Sequence, residues 1–316
     1  MNNVNRPETK KPLINVGAEK ASGISFSAAI IAQYVFSFLF LIIVRVVASS
    51  GGEFAAEDWY IYCSYLIPQL AFLVTARLYF SRTEARLKEM TKKPRPVYFI
   101  VAVALQCGLF SLSFVNTLFL QWLEKFGYTP ASPVLPSMQG AKILPVLLVT
   151  AVLPACLEEL FFRGILLRGM KKFGTVAAVF YGAALFSLYH QSPAQTAYQF
   201  ICGACFALIA LRSGSILPTA VAHFINNATI VILTACGVES FPGFLICIFA
   251  ALFIASLAYL LFFDKRAEKT LQSDGATPAR QGETGTRRKA DVKGFTLCAL
   301  AGIVLCLLTW IAGLIA

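Results

Sequence analysis

The sequence predicts an all-α, polytopic transmembrane bundle of about nine spans, and three observations lead there. Hydrophobic residues fill 58% of the 316 positions and charged residues only 14%, well under the roughly 25% that a soluble domain uses to cover itself. The apolar residues gather into runs of about 20, the length a helix needs to cross a hydrocarbon core of roughly 30 Å. Strand-like alternation is absent, and backbone groups in lipid must be satisfied within each segment, so the runs are helices rather than barrel strands.

The first run, 24–48, follows a polar tail at 1–23 that ends in no cleavable pattern. It is too long for a signal-peptide core and reads as a retained span. Further spans follow at 58–81, 97–122, 142–169, 174–190, 196–211, 215–236, 241–263 and 294–316. The connection TPASPVLPSMQG, 129–140, is proline-rich and expected to be a stiff external loop. Residues 264–293 are polar and rich in Gly, Thr, Lys and Arg, the composition of a flexible linker. That separation would leave the last span as an appendage. The expected organisation is a polar cytoplasmic tail at 1–23, N-terminal helices and loops at 24–141, a core of spans four to seven at 142–236, an eighth span within 237–263, a cytoplasmic linker at 264–293 and a terminal span at 294–316.

The net charge of +11 does not point to nucleic acid, because the bases cluster in short loops beside apolar runs. Arg6, Lys10, Lys11 and Lys20 precede the first span, and Arg82, Arg86, Lys88, Lys92, Lys93 and Arg95 follow the second. Between those spans SSGGEFAAED carries acids and no base. The N-terminus is therefore expected in the cytoplasm, and the plasma membrane is the expected site in a bacterium. Alternation then places Arg168, Lys171, Lys172, Arg212, Lys265 and Arg266 on the same side. The nine cysteines lie almost entirely in apolar runs. Cys202 and Cys205 form a CxxC without the strand–helix context of redox chemistry, so they read as packing thiols.

Ionisable residues at membrane depth are costly, about 2.5–3.5 kcal/mol each on insertion scales, and usually mark function. The fourth span, LPACLEELFFRGIL, holds Glu158, Glu159 and Arg163. Glu159 and Arg163 are four apart with glutamate first, the favourable order for an ion pair. Glu158 is rotated by about 100° and is left without that arginine; the alternative, that both glutamates serve Arg163, stays open at this point. The fifth span ends at His190, which alone reads as an interfacial side chain. The seventh, GSILPTAVAHFINNATI, has Pro218 in its first turn and puts His223 and Asn227 on one face, a pattern also used for polar helix–helix contacts.

EELFFR, FSLYH and HFINN resemble the three motifs of the CAAX-processing and bacteriocin-immunity (CPBP) family of intramembrane proteases, EExxxR, FxxxH and HxxxN. They fall on Glu158, Glu159 and Arg163, on Phe186 and His190, and on His223 and Asn227. Each is weak alone; all three in order within apolar spans are specific. The resemblance covers about 145–235. It implies a protease core in which Glu158, aided by His190, activates water, His223 and Asn227 donate to the oxyanion, and Glu159 with Arg163 supports the helix. Asn226 neighbours the site but faces about 100° away. The implied partners are a peptide or protein substrate and membrane lipid, with no nucleic acid. In eukaryotes the family trims prenylated C-termini, and in bacteria it resembles processors of leaders or pheromones, or immunity proteins.

No cofactor is expected. Zinc is the serious alternative, but position 227 holds Asn where a second helical histidine ligand would be wanted, and amides are better oxyanion donors than zinc ligands. A non-catalytic scaffold or immunity protein of the same fold is the rival reading. A small-solute transporter is a lesser one, unsupported by any internal repeat. The orientation is directly testable: cysteines introduced in 83–95 are expected to label only after permeabilisation, and those in 50–57 from outside. Labelling of 83–95 in intact cells would reverse it.

Overall fold

The computed structural model describes residues 16–47, 57–130, 134–238, 240–264 and 290–315. These are helical, with no strand among the described residues. The helices are α1 (Ala18–Val47), α2 (Asp58–Arg82), the short α3 (Leu87–Met90), α4 (Val97–Phe110), α5 (Ser113–Glu124), α6 (Gly140–Phe173), α7 (Thr175–Tyr189), α8 (Thr196–Ser213), α9 (Leu217–Ala235), α10 (Gly243–Phe263) and α11 (Val292–Ile315). Among the described residues eight spans are long and apolar enough to cross a membrane, α4 and α5 together forming one of them. The helix expected as the fifth span, α7, is apolar but has only 15 residues, about 22 Å of rise. About nine spans is thus the right count, with one of them short.

Several boundaries differ from expectation for visible reasons. α1 begins at Ala18 rather than near 24, because Ala-Glu-Lys-Ala is a strong helix-forming run with its acid in the first turn. Glu19 pairs with Lys172 at 3.3 Å, tying that turn to the end of α6. The third expected span is interrupted at Ser111 and Leu112, where the Ser111 hydroxyl donates to the Gly108 carbonyl at 2.7 Å. The proline-rich loop, outside positions 131–133, folds over the start of α2. There Ser137 N–H donates to Asp58 at 2.8 Å and Tyr65 donates to the Val134 carbonyl at 3.1 Å. The linker at 265–289, the tail at 1–15 and the loop at 48–56 lie outside the described residues.

α6 is not one continuous α-helix. It widens into π turns at Leu148–Val152 and Leu160–Leu166, on either side of the α-helical Leu153–Glu159. Pro154, which has no N–H to give to the ladder, sits where the first of these π stretches hands over to the α-helical turn. π turns of this kind cluster at functional sites, and here they flank the glutamate pair.

The C-terminal helix is no appendage. α11 lies along α1, with the Ser27 hydroxyl donating to the Cys298 carbonyl at 2.7 Å and Gly302 N–H donating back to Ser27 Oγ at 3.1 Å. Trp310 Nε1–H donates to Thr196 Oγ1 at 2.7 Å, and Tyr34 of α1 hydrogen-bonds Thr309. The contact is close because it is lined by small residues, as membrane helix pairs favour. A Cβ on Gly302 would stand 3.0 Å from Ser27 Cα, and one on Gly23 would run into the Phe295 carbonyl. Gly23→Leu is therefore expected to destabilise the detergent-solubilised protein by about 1–3 kcal/mol, the range for overpacking, read as a lowered melting temperature. An unchanged melting temperature would mean that α11 is not docked here.

Candidate active site

The site is built where α6, α7 and α9 meet, with α2 closing it from the N-terminal half. α6 presents Glu158, Glu159 and Arg163 inward, and all three are buried. Arg163 Nη1 donates to Glu159 Oε1 at 2.8 Å. His223 Nδ1, from α9, lies 2.9 Å from the same oxygen. A carboxylate only accepts, so Nδ1 carries the proton and the other ring nitrogen is turned elsewhere. That nitrogen, Nε2, stands 3.9 Å from Glu158 Oε2, beyond hydrogen-bond range. Glu159 is thus shared by two donors, a double commitment that helix spacing does not reveal. Glu158 Oε1 accepts from Gln69 Nε2 at 3.4 Å, and its Oε2 has no protein partner.

His190 sits at the end of α7, where its Nδ1 is 2.8 Å from the Phe186 carbonyl. A carbonyl also only accepts, so in the neutral ring Nδ1 is protonated and Nε2 holds the lone pair. Phe186 is the hub of the arrangement. Its ring lies 4.9 Å from the His190 ring, 6.1 Å from the His223 ring and 4.2 Å from the Arg163 guanidinium carbon, the last a cation–π contact in a desolvated setting. The next residue, Gln191, adopts φ 52°, a left-handed conformation uncommon outside glycine. The turn is held from α1, where Tyr34 donates to Gln191 Oε1 at 2.7 Å. α1 and α11 thereby support the end of α7 that carries His190.

Asn227 is tied to the backbone of α6. Its Nδ2 donates to the Thr150 carbonyl at 2.9 Å, so one of its two amide hydrogens is engaged. Its Oδ1 accepts from Asn226 Nδ2 at 3.0 Å. Asn226 is buried and takes hydrogen bonds on its own Oδ1 from Gln106 Nε2 at 2.9 Å and Tyr198 OH at 3.0 Å. Asn226 is the link that anchors Asn227 to α4 and α8.

The structure therefore brings Glu158, Glu159, Arg163, His223 and Phe186 into one cluster, sets His190 against its edge, and hangs Asn227 from the α6 backbone. Gln69, Gln106, Thr150 and Tyr198 were missed from sequence. Gln69 and Gln106 did carry a signal, since a glutamine amide within an apolar span needs a partner much as an ionised group does. Cys202 and Cys205 are buried free thiols, as packing predicts. Among the described residues, no three of His, Cys, Asp and Glu converge as metal ligands.

With that geometry in place, the chain can be set beside known proteins. Residues 140–229 match the family model for type II CAAX prenyl endopeptidase Rce1-like proteins. The match spans under a third of the chain, runs from the start of α6 into α9, and contains all three motifs. It agrees with the resemblance carried by EELFFR, FSLYH and HFINN. No curated protein and no solved structure matches the chain. α1, α2, α4, α5, α10 and α11 lie outside the Rce1-like segment, and so does Gln69.

Glu159→Gln is expected to lower the amount of folded protein, because it removes the buried carboxylate shared by Arg163 and His223. Breaking a buried pair from one side costs about 3–5 kcal/mol. Quantitative immunoblotting of membranes together with detergent melting curves would show it. Normal abundance and stability would mean that the pair is not structural.

Proposed function

We propose that this chain is an intramembrane endopeptidase of CAAX type, in which Glu158 activates the water that attacks the scissile carbonyl. The observation that carries the reading is the unequal treatment of two adjacent carboxylates. Glu159 is held by Arg163 and His223, whereas Glu158 keeps one oxygen without a protein partner while facing His223 Nε2.

The reaction follows from those atoms. Glu158 Oε2 takes a proton from water as its oxygen bonds to the carbonyl carbon, and the carbonyl electron pair moves onto oxygen. The oxyanion is met by Nε2–H of a His223 ring that enters and leaves the reaction protonated on both nitrogens, and by the amide hydrogen of Asn227 not engaged by Thr150. One such donor is typically worth about 2.7–4 kcal/mol to the transition state. Glu158 then passes its proton to the leaving nitrogen as the C–N bond breaks. His190 Nε2, bare in the tautomer set by Phe186, accepts from the same water and helps to orient it. The substrates are membrane-associated peptides or protein termini, prenylated C-termini of the CAAX kind foremost and leader peptides second. The N-terminus and the loop at 83–95 lie in the cytoplasm, by the Lys/Arg asymmetry.

Glu158→Gln in membranes is expected to accumulate like the parent and to lose cleavage of an internally quenched peptide ending in a farnesylated CAAX sequence. An unlipidated leader peptide serves as the second probe. Parent protein stripped by a strong chelator is expected to keep its activity. Activity restored by stoichiometric zinc would make His190 and His223 ligands instead. A parent that cleaves neither probe would favour the non-catalytic scaffold.

A further inference from the structure

Outside the Rce1-like segment, one polar side chain reaches the reacting carboxylate. Gln69 lies on the stripe of α2 that also buries Phe72, Ala76 and Tyr79, spaced three and four apart so that they share one face. Phe72 packs on α6 through Phe161 at 4.6 Å and Phe162 at 5.8 Å, and on Tyr189 of α7 at 5.0 Å. That aromatic contact fixes α2 against α6 one turn from Gln69 and so sets how far its amide extends. Gln69 is 5% exposed. Its Nε2 donates to Glu158 Oε1, and its Oε1 has no partner.

Gln69 also lines a cavity of about 570 Å³ between α1, α2 and the Leu153–Leu157 stretch of α6. The other lining residues are hydrocarbon or aromatic side chains and Cys63, and exposed Leu39, Ile43, Leu66, Leu70 and Leu73 open it to the outer surface of the bundle. An amide in so apolar a wall is costly unless it is bonded. The bond it makes is to one of two carboxylate oxygens, leaving the other toward His223.

We propose that Gln69 is a positioning residue for Glu158. It donates to Oε1, so that Oε2 is the oxygen presented to water, and it favours the ionised carboxylate that the base step needs. The proposal rests on the reading of Glu158 as the base, and it assigns part of the catalytic apparatus to the N-terminal half, which the family match does not cover. A donor to the charged form of a carboxylate favours that form, and hydrogen bonds to charged groups are among the stronger ones.

The test uses the full chain in membranes with the farnesylated quenched peptide. Gln69→Leu keeps the volume and removes the donor. Gln69→Asn keeps the amide and withdraws it by one methylene, and it decides the matter should the leucine variant fail to accumulate. Either is expected to lower kcat by roughly 2- to 10-fold with KM little changed, as the loss of one long hydrogen bond predicts. The acid limb of the kcat/KM profile is expected to move to higher pH. Labelling of Glu158 by dicyclohexylcarbodiimide, followed by mass spectrometry across pH, is expected to move in the same direction without any substrate. Adding Gln69→Leu to Glu158→Gln is expected to change the residual rate no further. An unmoved acid limb and unmoved labelling, whatever happens to stability, would make Gln69 a packing residue and overturn the proposal. A Glu158→Gln variant with parental activity would instead remove Glu158 as the base, a result read from a protein in which Gln69 is intact.

Discussion

Glu159 Oε1 receives Arg163 from one turn further along its own helix and His223 from α9. A guanidinium at membrane depth cannot stand without a counter-charge, and once Glu159 supplies it the positions of three helices are coupled. α6 contributes both members of the pair, α9 must bring His223 to the same oxygen, and α7 must place Phe186 beneath the guanidinium. The geometry around Glu158 follows from that closure. Because the neighbouring carboxylate absorbs the fixed charge, Glu158 is held by a single amide and retains an open oxygen. A buried ion pair is weak evidence for net stability; here its use is to impose register between helices that otherwise offer each other only hydrocarbon.

The second constraint is a hydrogen bond from a side chain to a backbone. Asn227 of α9 donates to the Thr150 carbonyl of α6 across the helix interface, and the same docking holds His223, one turn earlier on α9, against Glu159. Asn226 extends the chain of amides outward to Gln106 and Tyr198, so α4 and α8 are joined to the site by hydrogen bonds. Between membrane helices, where lipid cancels the hydrophobic driving force, such bonds act together with close packing to hold the bundle.

Much of this was legible in the sequence. Composition and run length gave the helical bundle, and the spacing of Glu159 and Arg163 gave their pair, because an i,i+4 relation survives small changes in helix geometry. What was not legible depended on backbone irregularity or on contacts between distant segments. The π turns around the glutamates were hidden because a straight 100° wheel was assumed for α6. The sharing of Glu159 by His223 required knowing the distance between α6 and α9. α11 looked detached because a polar stretch of sequence separates it, yet Gly23, Ser27 and Gly302 mark a close helix contact whose signal is small residues rather than charge. Gln69 and Gln106 were passed over because attention went to ionisable groups, although an amide within an apolar run faces the same requirement for a partner.

The division of labour across the chain follows from these contacts. The segment that matches the family holds every charge in the site, and its internal bonds close on themselves through Glu159. Among the described residues, the flanking helices contribute no charge to the cluster around Glu158 and Glu159. They contribute Gln69 against Glu158, Tyr34 against the turn after His190, and Gln106 against Asn226. Each is a neutral donor that touches the site at one atom, and each comes from a helix whose outer face meets lipid. Gln69 is the protein donor that holds Glu158, so withdrawing it would leave a buried carboxylate without a hydrogen bond, whereas the closure of Glu159 with Arg163 and His223 would stay intact. The segment that matches the family spans under a third of the chain, and the contacts that finish the site come from helices on its N-terminal side.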